Sequence, residues 1–599
     1  MKTLMWTDTL EWPLPLQAAW DVVADSDRGN QATGVGVPDI TPHAQGAARF
    51  VFKRSAGPAT LEYEEHPLEW QVGRFLHGKR VFLSGPLAWA VMSWELTPVT
   101  SERTQVRLRL RAVPRSPLVS PLASLVGRMV FRDVFSSLQR CGDNIRRNKP
   151  AYGVPPPRLK QDAFQRAADA TVKSVTEAQR AIARRLVEHV ATADDHDVRH
   201  LRPFALADAW RLPRRDTLIT FLHAVNAGLL ELTWELVCPS CLTGTETAPT
   251  LSAIAEHGRC QFCDISFGLE FDRSVEATFR PSSTVREWEV RPFCISGPFL
   301  FPHVEAQAIL PPRGTVEVTA PGAAGRCRIF VRGGLTVAVD VVADGPAQVR
   351  TRVGETAEPA ALTVAPGGTI TVEHALDVER HLRLERLGWA NTAATAMHLS
   401  LLPEFRRMFS AEVLRTNLSL TVQRVGLLFT DLTASTSLYT RAGDAVAFRL
   451  VQEHFELLGA VIARHQGTLV KTIGDAVMAA FPDEESLVRA AVDMQRAFPA
   501  FRAERRYAPD VFLRVGVHIG PVYAATANKL IDYFGQTVNI AARLQGTAQG
   551  GEVVMTAELA ERAQAQGWLW SIRQLERFDA NVKGLDAPIR AARAVVTTE

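Results

Sequence analysis

Two acidic residues give the first indication of chemistry. Asp431 closes the apolar run VGLLFTDL (425–432), and Asp475 follows Gly474 inside GTLVKTIGDAVMAAF (467–481). An acid at a strand end and an acid in a hairpin turn can meet across adjacent strands. Two such carboxylates with an open side suit a pair of hard cations that bridge phosphates during an in-line displacement. Each acid taken singly reads better as a turn cap. A second constellation is softer. Cys238-Pro-Ser-Cys241 and Cys260-Gln-Phe-Cys263 form two C-x-x-C pairs, a spacing that predicts a four-thiolate zinc ribbon. Four cysteines leave no open coordination position, so the expected role of the zinc is structural. Cys141, Cys294 and Cys327 stand alone and are expected to be small buried hydrophobes.

The two acids need a frame. VGLLFTDL reads as a buried strand, about 437–465 as a long helix, and 467–481 as two strands joined at a tight turn around Gly474-Asp475. A second amphipathic helix covers about 484–505, and DVFLRVGVHIG is another strand. The order strand–helix–strand–strand–helix–strand is a ferredoxin-like βαββαβ layout with both acids at strand ends or turns. On the acids alone, a polymerase palm or a diguanylate cyclase would fit as well.

The remaining motifs separate these possibilities. FTDLTASTSL (429–438), VKTIGDAVMAAF (470–481), RVGVHIGPV (514–522), IDYFGQTVNIAARL (531–544) and VKG (582–584) occur in order. With them, about 425–596 resembles the class III nucleotidyl cyclase catalytic domain. The resemblance implies that Asp431 and Asp475 hold two Mg2+ or Mn2+ ions per active site. It places Lys471 and Asp532 at the base-selecting positions, Asn539 at the ribose, Arg543 at the pentavalent phosphorus and Lys583 at the terminal phosphates. Hydrogen-bond polarity agrees: lysine only donates and carboxylate only accepts, which complements N1 and N6 of adenine and opposes guanine. The guanylyl-type residues at these positions, Glu and Cys or Ser, are absent. The family also implies a homodimer, because each site draws its metal acids and its base-selecting residues from different chains. One departure is Ala434, where family members often carry Gly.

The front of the chain reads as a series of modules. Residues 1–150 combine a Trp-rich opening strand, a short helical stretch, alternating runs such as TQVRLRLRAV and a long amphipathic helix from about 117 to 147. That order resembles the START-like helix-grip fold, which implies a cavity for an apolar small molecule. The prolines of AYGVPPP (151–157) mark a linker. Residues 151–236 read as linker and a helical, winged-helix-like module in which Arg199, Arg202, Arg211, Arg214 and Arg215 could touch phosphate; such arginines more often form a solvated face, and a nucleic-acid partner is not expected. The zinc ribbon spans 237–268, a β-sandwich-like module 269–388, a helical connector 389–420 and the catalytic domain 421–599. Together the parts before the catalytic domain resemble the uncharacterised N-terminal region of some bacterial adenylate cyclases.

The 599-residue composition bounds the function. With 67 basic and 64 acidic residues nearly cancelling, a nucleic-acid-coating surface over the whole chain is excluded. Seven cysteines are too sparse for a disulfide scaffold. No apolar run is long enough for a membrane helix, and the N-terminus lacks a signal core, so a cytoplasmic protein is expected. Ten of twelve tryptophans fall at or before Trp389, which marks the last third as a different kind of module. The fold class expected is multidomain α+β. The function expected is an adenylate cyclase making 3′,5′-cyclic AMP and pyrophosphate from ATP, regulated by the front region. The alternatives are a guanylate cyclase, or a nucleotide-sensing regulator that binds DNA or protein and turns over slowly.

Overall fold

Strict alternation of buried and exposed side chains shapes the front of the molecule. In the computed structural model the strand Arg103–Pro114 buries every second residue from Thr104 to Pro114. The structure describes residues 3–33, 38–42, 50–56, 59–153, 156–241, 243–268, 270, 274–289, 297–387, 392–409, 412, 419–434, 437, 440, 443–504, 510–527, 530–581 and 587–597. The strand Leu4–Trp12, helices Leu16–Ala24 and Ser26–Ala32, an antiparallel sheet and the helix Ser120–Arg146 follow in that order. The long helix can lie close to the sheet because two glycines meet tryptophans. A Cβ at Gly127 would fall 2.4 Å from the Trp6 ring and one at Gly142 2.9 Å from the Trp12 ring. The Trp12 indole N–H donates to Leu138 O at 3.2 Å. Between sheet and helix lies a cavity of about 530 Å³, walled by Leu76, Leu110, Val134 and Tyr152 and by the Glu65–Arg80 ion pair at 2.9 Å.

This sheet does not end with the front module. The short strand Glu69–Gln71 pairs with Val304–Leu310 through Gln71↔Ala306 and Trp70↔Gln307. The Gln71 amide reaches across as well, accepting from Thr319 N at 3.0 Å and donating to Thr319 O at 3.2 Å. The sheet then continues through Arg380–Arg386, Gly325–Val331, Leu335–Val341 and Ala361–Val364. A second sheet, built from Thr315–Thr319, Thr369–His374, Gln348–Val353 and Ala357–Glu358, shares a core with it through Ile329, Val339, Val372 and Leu384.

Several sequence expectations need correction. The strand Val275–Pro281, grouped by composition with the β-sandwich, pairs over seven residues with Leu230–Val237 of the helical module. Both strands are largely buried and pack on the helices 161–226, a choice of partner that composition does not encode. Among the described residues the connector holds two short helices, Ala396–Ser400 and Pro403–Met408, because Pro403 cannot continue a helix and instead starts the next one. Two of the arginines considered for phosphate contact are engaged internally: Arg202 pairs with Glu276 at 2.9 Å and Arg214 with Asp208 at 2.6 Å. Among the described residues no helix is long and apolar enough to cross a membrane.

The C-terminal module contains β1 (Ser419–Leu432), α1 (Asp444–Arg464), β2 (Thr468–Ile473), β3 (Ala476–Phe481), α2 (Glu484–Ala503), β4 (Leu513–Ala527), β5 (Leu530–Phe534), α3 (Gln536–Thr547), β6 (Glu552–Thr556), α4 (Ala557–Ala565), β7 (Ile572–Ala580) and β8 (Ile589–Val596). Of the helix expected over about 437–465, the continuous part is Asp444–Arg464, which follows Gly443 at φ +81°. The sheet order is β2-β3-β1-β4-β6-β8-β7, with β5 hydrogen-bonded to β4. All neighbours are antiparallel except β4 and β6. One sheet face, with Leu428, Val477, Ala479 and Val517, packs on α1 and α2. The other, with Leu427, Phe429, Met478 and Tyr533, shares a core with the front region, including Phe405 of the connector. Within β1 the stretch Val425–Phe429 is apolar on both faces because both are covered there.

Candidate active site

The acids sit where two strands end together. Thr430 is the last residue of β1 paired with β3, opposite Val477. The Val477 N–H also donates to Thr430 Oγ1 at 3.2 Å, which ties the strand carrying Asp431 to the hairpin carrying Asp475. Asp431 therefore follows the last pair on one strand and Asp475 precedes it on the other. The hairpin turns at Gly474, whose φ of +64° suits glycine. His454 of α1, fully buried, contacts Asp475 O at 3.2 Å. Burial holds its pKa below the ordinary value, so the ring is neutral at pH 7 and the tautomer protonated on Nε2 donates to that carbonyl.

The two carboxylates differ in their partners. Asp431 pairs with Arg514, its register neighbour on β4. Asp475 Oδ2 is buried and takes no hydrogen bond. A buried carboxylate oxygen without a donor calls for a cation. Hard oxygen ligands on adjacent strand ends fit Mg2+ or Mn2+ by chemistry as well as by burial.

The other sequence-predicted residues fall into two groups and one outlier. Lys471 Nζ donates to Asp532 Oδ2 at 2.5 Å, although the residues stand on β2 and β5. Asp532 Oδ1 accepts from Tyr533 N at 2.8 Å, which fixes the carboxylate plane. Asn539 and Arg543, four residues apart, share a face of α3. That helix buries Thr537, Ala541 and Leu544 against the sheet. It approaches β4 at Gly516, where a Cβ would lie 2.1 Å from Gln545 N. Lys583 lies outside the described residues. Arg514 and His454 were not legible as site residues in the sequence. The only signal for Arg514 is its place at the head of RVGVHIGPV, and its partner emerges only with the β1–β4 register.

The loop after Asp431 contains Ala434 at φ +55°, the left-handed region that favours glycine. It is pinned by Thr433, whose N–H donates to Phe512 O at 2.8 Å, and by Ser437, whose hydroxyl donates to Ala434 O at 2.8 Å.

Away from this site, Cys238, Cys241, Cys260 and Cys263 are all buried, and their sulfur atoms lie within 4.8 Å of one another. Cys263 N approaches Cys260 Sγ at 3.4 Å, as in a metal-binding knuckle. Such a cluster can hold a metal ion, and four soft donors fit zinc.

Known proteins bear on both halves. Residues 419–589 match the adenylate and guanylate cyclase catalytic domain family, and residues 166–292 match a family of unknown function. An uncharacterized protein of Mycobacterium tuberculosis is 34% identical over 195 residues, covering 33% of this chain and 47% of that protein. An adenylate cyclase of Anabaena cylindrica is 30% identical over 180 residues, covering 28% of this chain and 36% of that enzyme. The chain thus spans less than half the length of these relatives. The adenylyl cyclase CyaB of P. aeruginosa is a similar solved structure, at 19% identity over 30% of this chain and 97% of that one, with a TM-score of 0.27. Residues 419–589 of this chain are a class III adenylate and guanylate cyclase catalytic domain.

Proposed function

We propose that the protein is an adenylate cyclase acting as a homodimer under control of its front region. The observation that carries this reading is the Lys471–Asp532 pair at 2.5 Å. One donor and one acceptor side by side match the N1 acceptor and N6 donor of adenine, while guanine would face two mismatched contacts. Without nucleotide, the two side chains satisfy each other.

Asp431 and Asp475 are the residues that would hold the divalent cations. Bound cations supply Lewis acidity toward the ribose 3′-hydroxyl and the triphosphate. Lys471 and Asp532 orient the base, and Asn539 orients the ribose for attack. The 3′-hydroxyl proton passes to solvent, the 3′-oxygen forms a bond to the α-phosphorus as the bond from that phosphorus to the bridging oxygen breaks, and pyrophosphate leaves. Arg543 offers a permanently charged fork to the negative charge that develops, and Lys583 receives the terminal phosphates. Loss of Arg543 is expected to lower the rate by ~10²–10³. The four cysteines are assigned one structural zinc ion. The cavity under the front helix, apolar apart from the Glu65–Arg80 pair and a few polar groups, suits an apolar small molecule as regulator.

The test is direct. The purified chain with Mn2+ and either ATP or GTP should yield mainly cyclic AMP. The double variant Lys471→Glu with Asp532→Cys should move preference toward GTP. A wild-type chain that makes no cyclic nucleotide overturns the enzymatic reading. An unchanged ATP preference in the double variant overturns the assignment of the base-selecting pair.

A further inference from the structure

Lys471 and Asp532 touch, yet their strands are not neighbours. β2 and β5 are separated in the sheet by β3, β1 and β4. No backbone ladder joins them directly. A side chain from outside the catalytic sheet does span the gap. Arg406, on the connector helix Pro403–Met408, donates from Nη1 to Val470 O at 3.3 Å and from Nη2 to Ile531 O at 2.8 Å. These carbonyls belong to the residues immediately before Lys471 and Asp532. The third edge of the guanidinium, Nε, donates to Ser400 O at 3.0 Å. The next residue after Asp532 is held from the same side, where the buried Tyr533 hydroxyl meets Ser400 Oγ at 3.2 Å.

The connector is itself anchored to the front of the molecule. Phe405 packs edge-on against Trp234, with ring centroids 6.1 Å apart. Glu412 Oε2 accepts from the Trp234 indole N–H and from Leu251 N, both at 3.0 Å. Leu251 lies between the two cysteine pairs. A planar guanidinium with donors on three edges can hold three carbonyls from three segments at once, which a lysine ammonium on a flexible stem does less rigidly.

We propose that Arg406 is a positioning residue that sets the spacing between Lys471 and Asp532, so that the docking of the front region tunes nucleotide affinity and base choice. This inference rests on the reading of Lys471 and Asp532 as the base-selecting pair. A crosspiece behind the base site acts on binding of the base, not on the attack at phosphorus. Its loss should therefore appear in KM and in the ATP:GTP ratio more than in kcat.

The experiment compares wild type, Arg406→Gln, Arg406→Lys and Tyr533→Phe in the full chain. Cyclic-product kinetics and calorimetric binding are measured for ATP and GTP. Arg406→Gln should raise the ATP KM and Kd by about 10-fold and narrow the ATP:GTP ratio, with kcat changed less than about threefold. Arg406→Lys should recover part of the loss, and Tyr533→Phe should shift KM in the same direction by less. A folded Arg406→Gln protein with wild-type KM, Kd and ratio overturns the proposal, as does a fall confined to kcat. Should Arg406→Gln not fold, Tyr533→Phe decides on the same criteria. A wild-type chain that binds ATP without cyclising it would sink the proposed activity, while the binding ratios would still decide the role of Arg406.

Discussion

Ala434 lies three residues from Asp431, a proposed metal ligand, and its methyl group bears on the shape of that loop. An L-residue in the left-handed region carries a penalty of roughly 1–2 kcal/mol that glycine avoids, offset in part by the greater unfolded-state entropy of glycine. Ala434→Gly is therefore expected to stabilise the protein by about 0.5–1 kcal/mol, read as a higher urea midpoint at unchanged m-value. The KM for ATP should fall, because the loop relaxes three residues from Asp431. A lower midpoint would show that the surrounding contacts, not the backbone, dominate there. Ala434 was legible in the sequence as a departure from the family pattern, and its φ of +55° supplies the physical content. Asp431, Asp475, Lys471 and Asp532 were legible because each sits inside a motif. Arg514, His454 and Arg406 were not, since their partners lie across strands or on another module and only register and docking reveal them.

At the scale of elements, the packing of α3 on β4 decides whether Asn539 and Arg543 stand in place. The atoms facing Gly516 are Gln545 N and Cα, which would lie 2.1 and 2.5 Å from a Cβ there, and backbone cannot swing aside. Gly516→Ala should thus push the helix off the sheet, lowering stability by about 1–3 kcal/mol and abolishing most of the proposed cyclase activity. Gly546 on the same helix faces open space, so Gly546→Ala should leave activity intact. Thermal unfolding and product assays on the two variants check this, and equal behaviour would refute the close-approach argument. Element types were well marked by periodicity, as in β1 and in the strand 103–114. Strand partners were not: the strand 275–281 has a composition suited to either neighbouring sheet, and long-range pairing alone selects the helical module.

For the whole molecule, the proposed homodimer makes the sharpest demand. If each site takes metal acids from one chain and α3 residues from the other, inactive Asp431→Ala and Arg543→Ala chains should recover activity when mixed. A mixed dimer would contain one intact site, so recovery of up to about half the wild-type specific activity per dimer is expected. A verified mixed dimer without activity would place each site within one chain. The shared core between the front region and one face of the catalytic sheet bears on the same question. A change in docking there reaches the backs of β1, β3 and β5 directly, through Phe405 and Tyr533.

The pairing of Glu69–Gln71 with Val304–Leu310 also limits how the chain can be divided. A cut near residue 150, where the triple proline invites one, would strip that short strand of one of its two neighbours and bare the N–H and C=O groups on that edge. Unpaired edges of this kind are templates for self-association. The shortest front fragment that keeps this sheet paired runs to residue 386, so solubility, not sequence punctuation, marks the first true boundary in the chain.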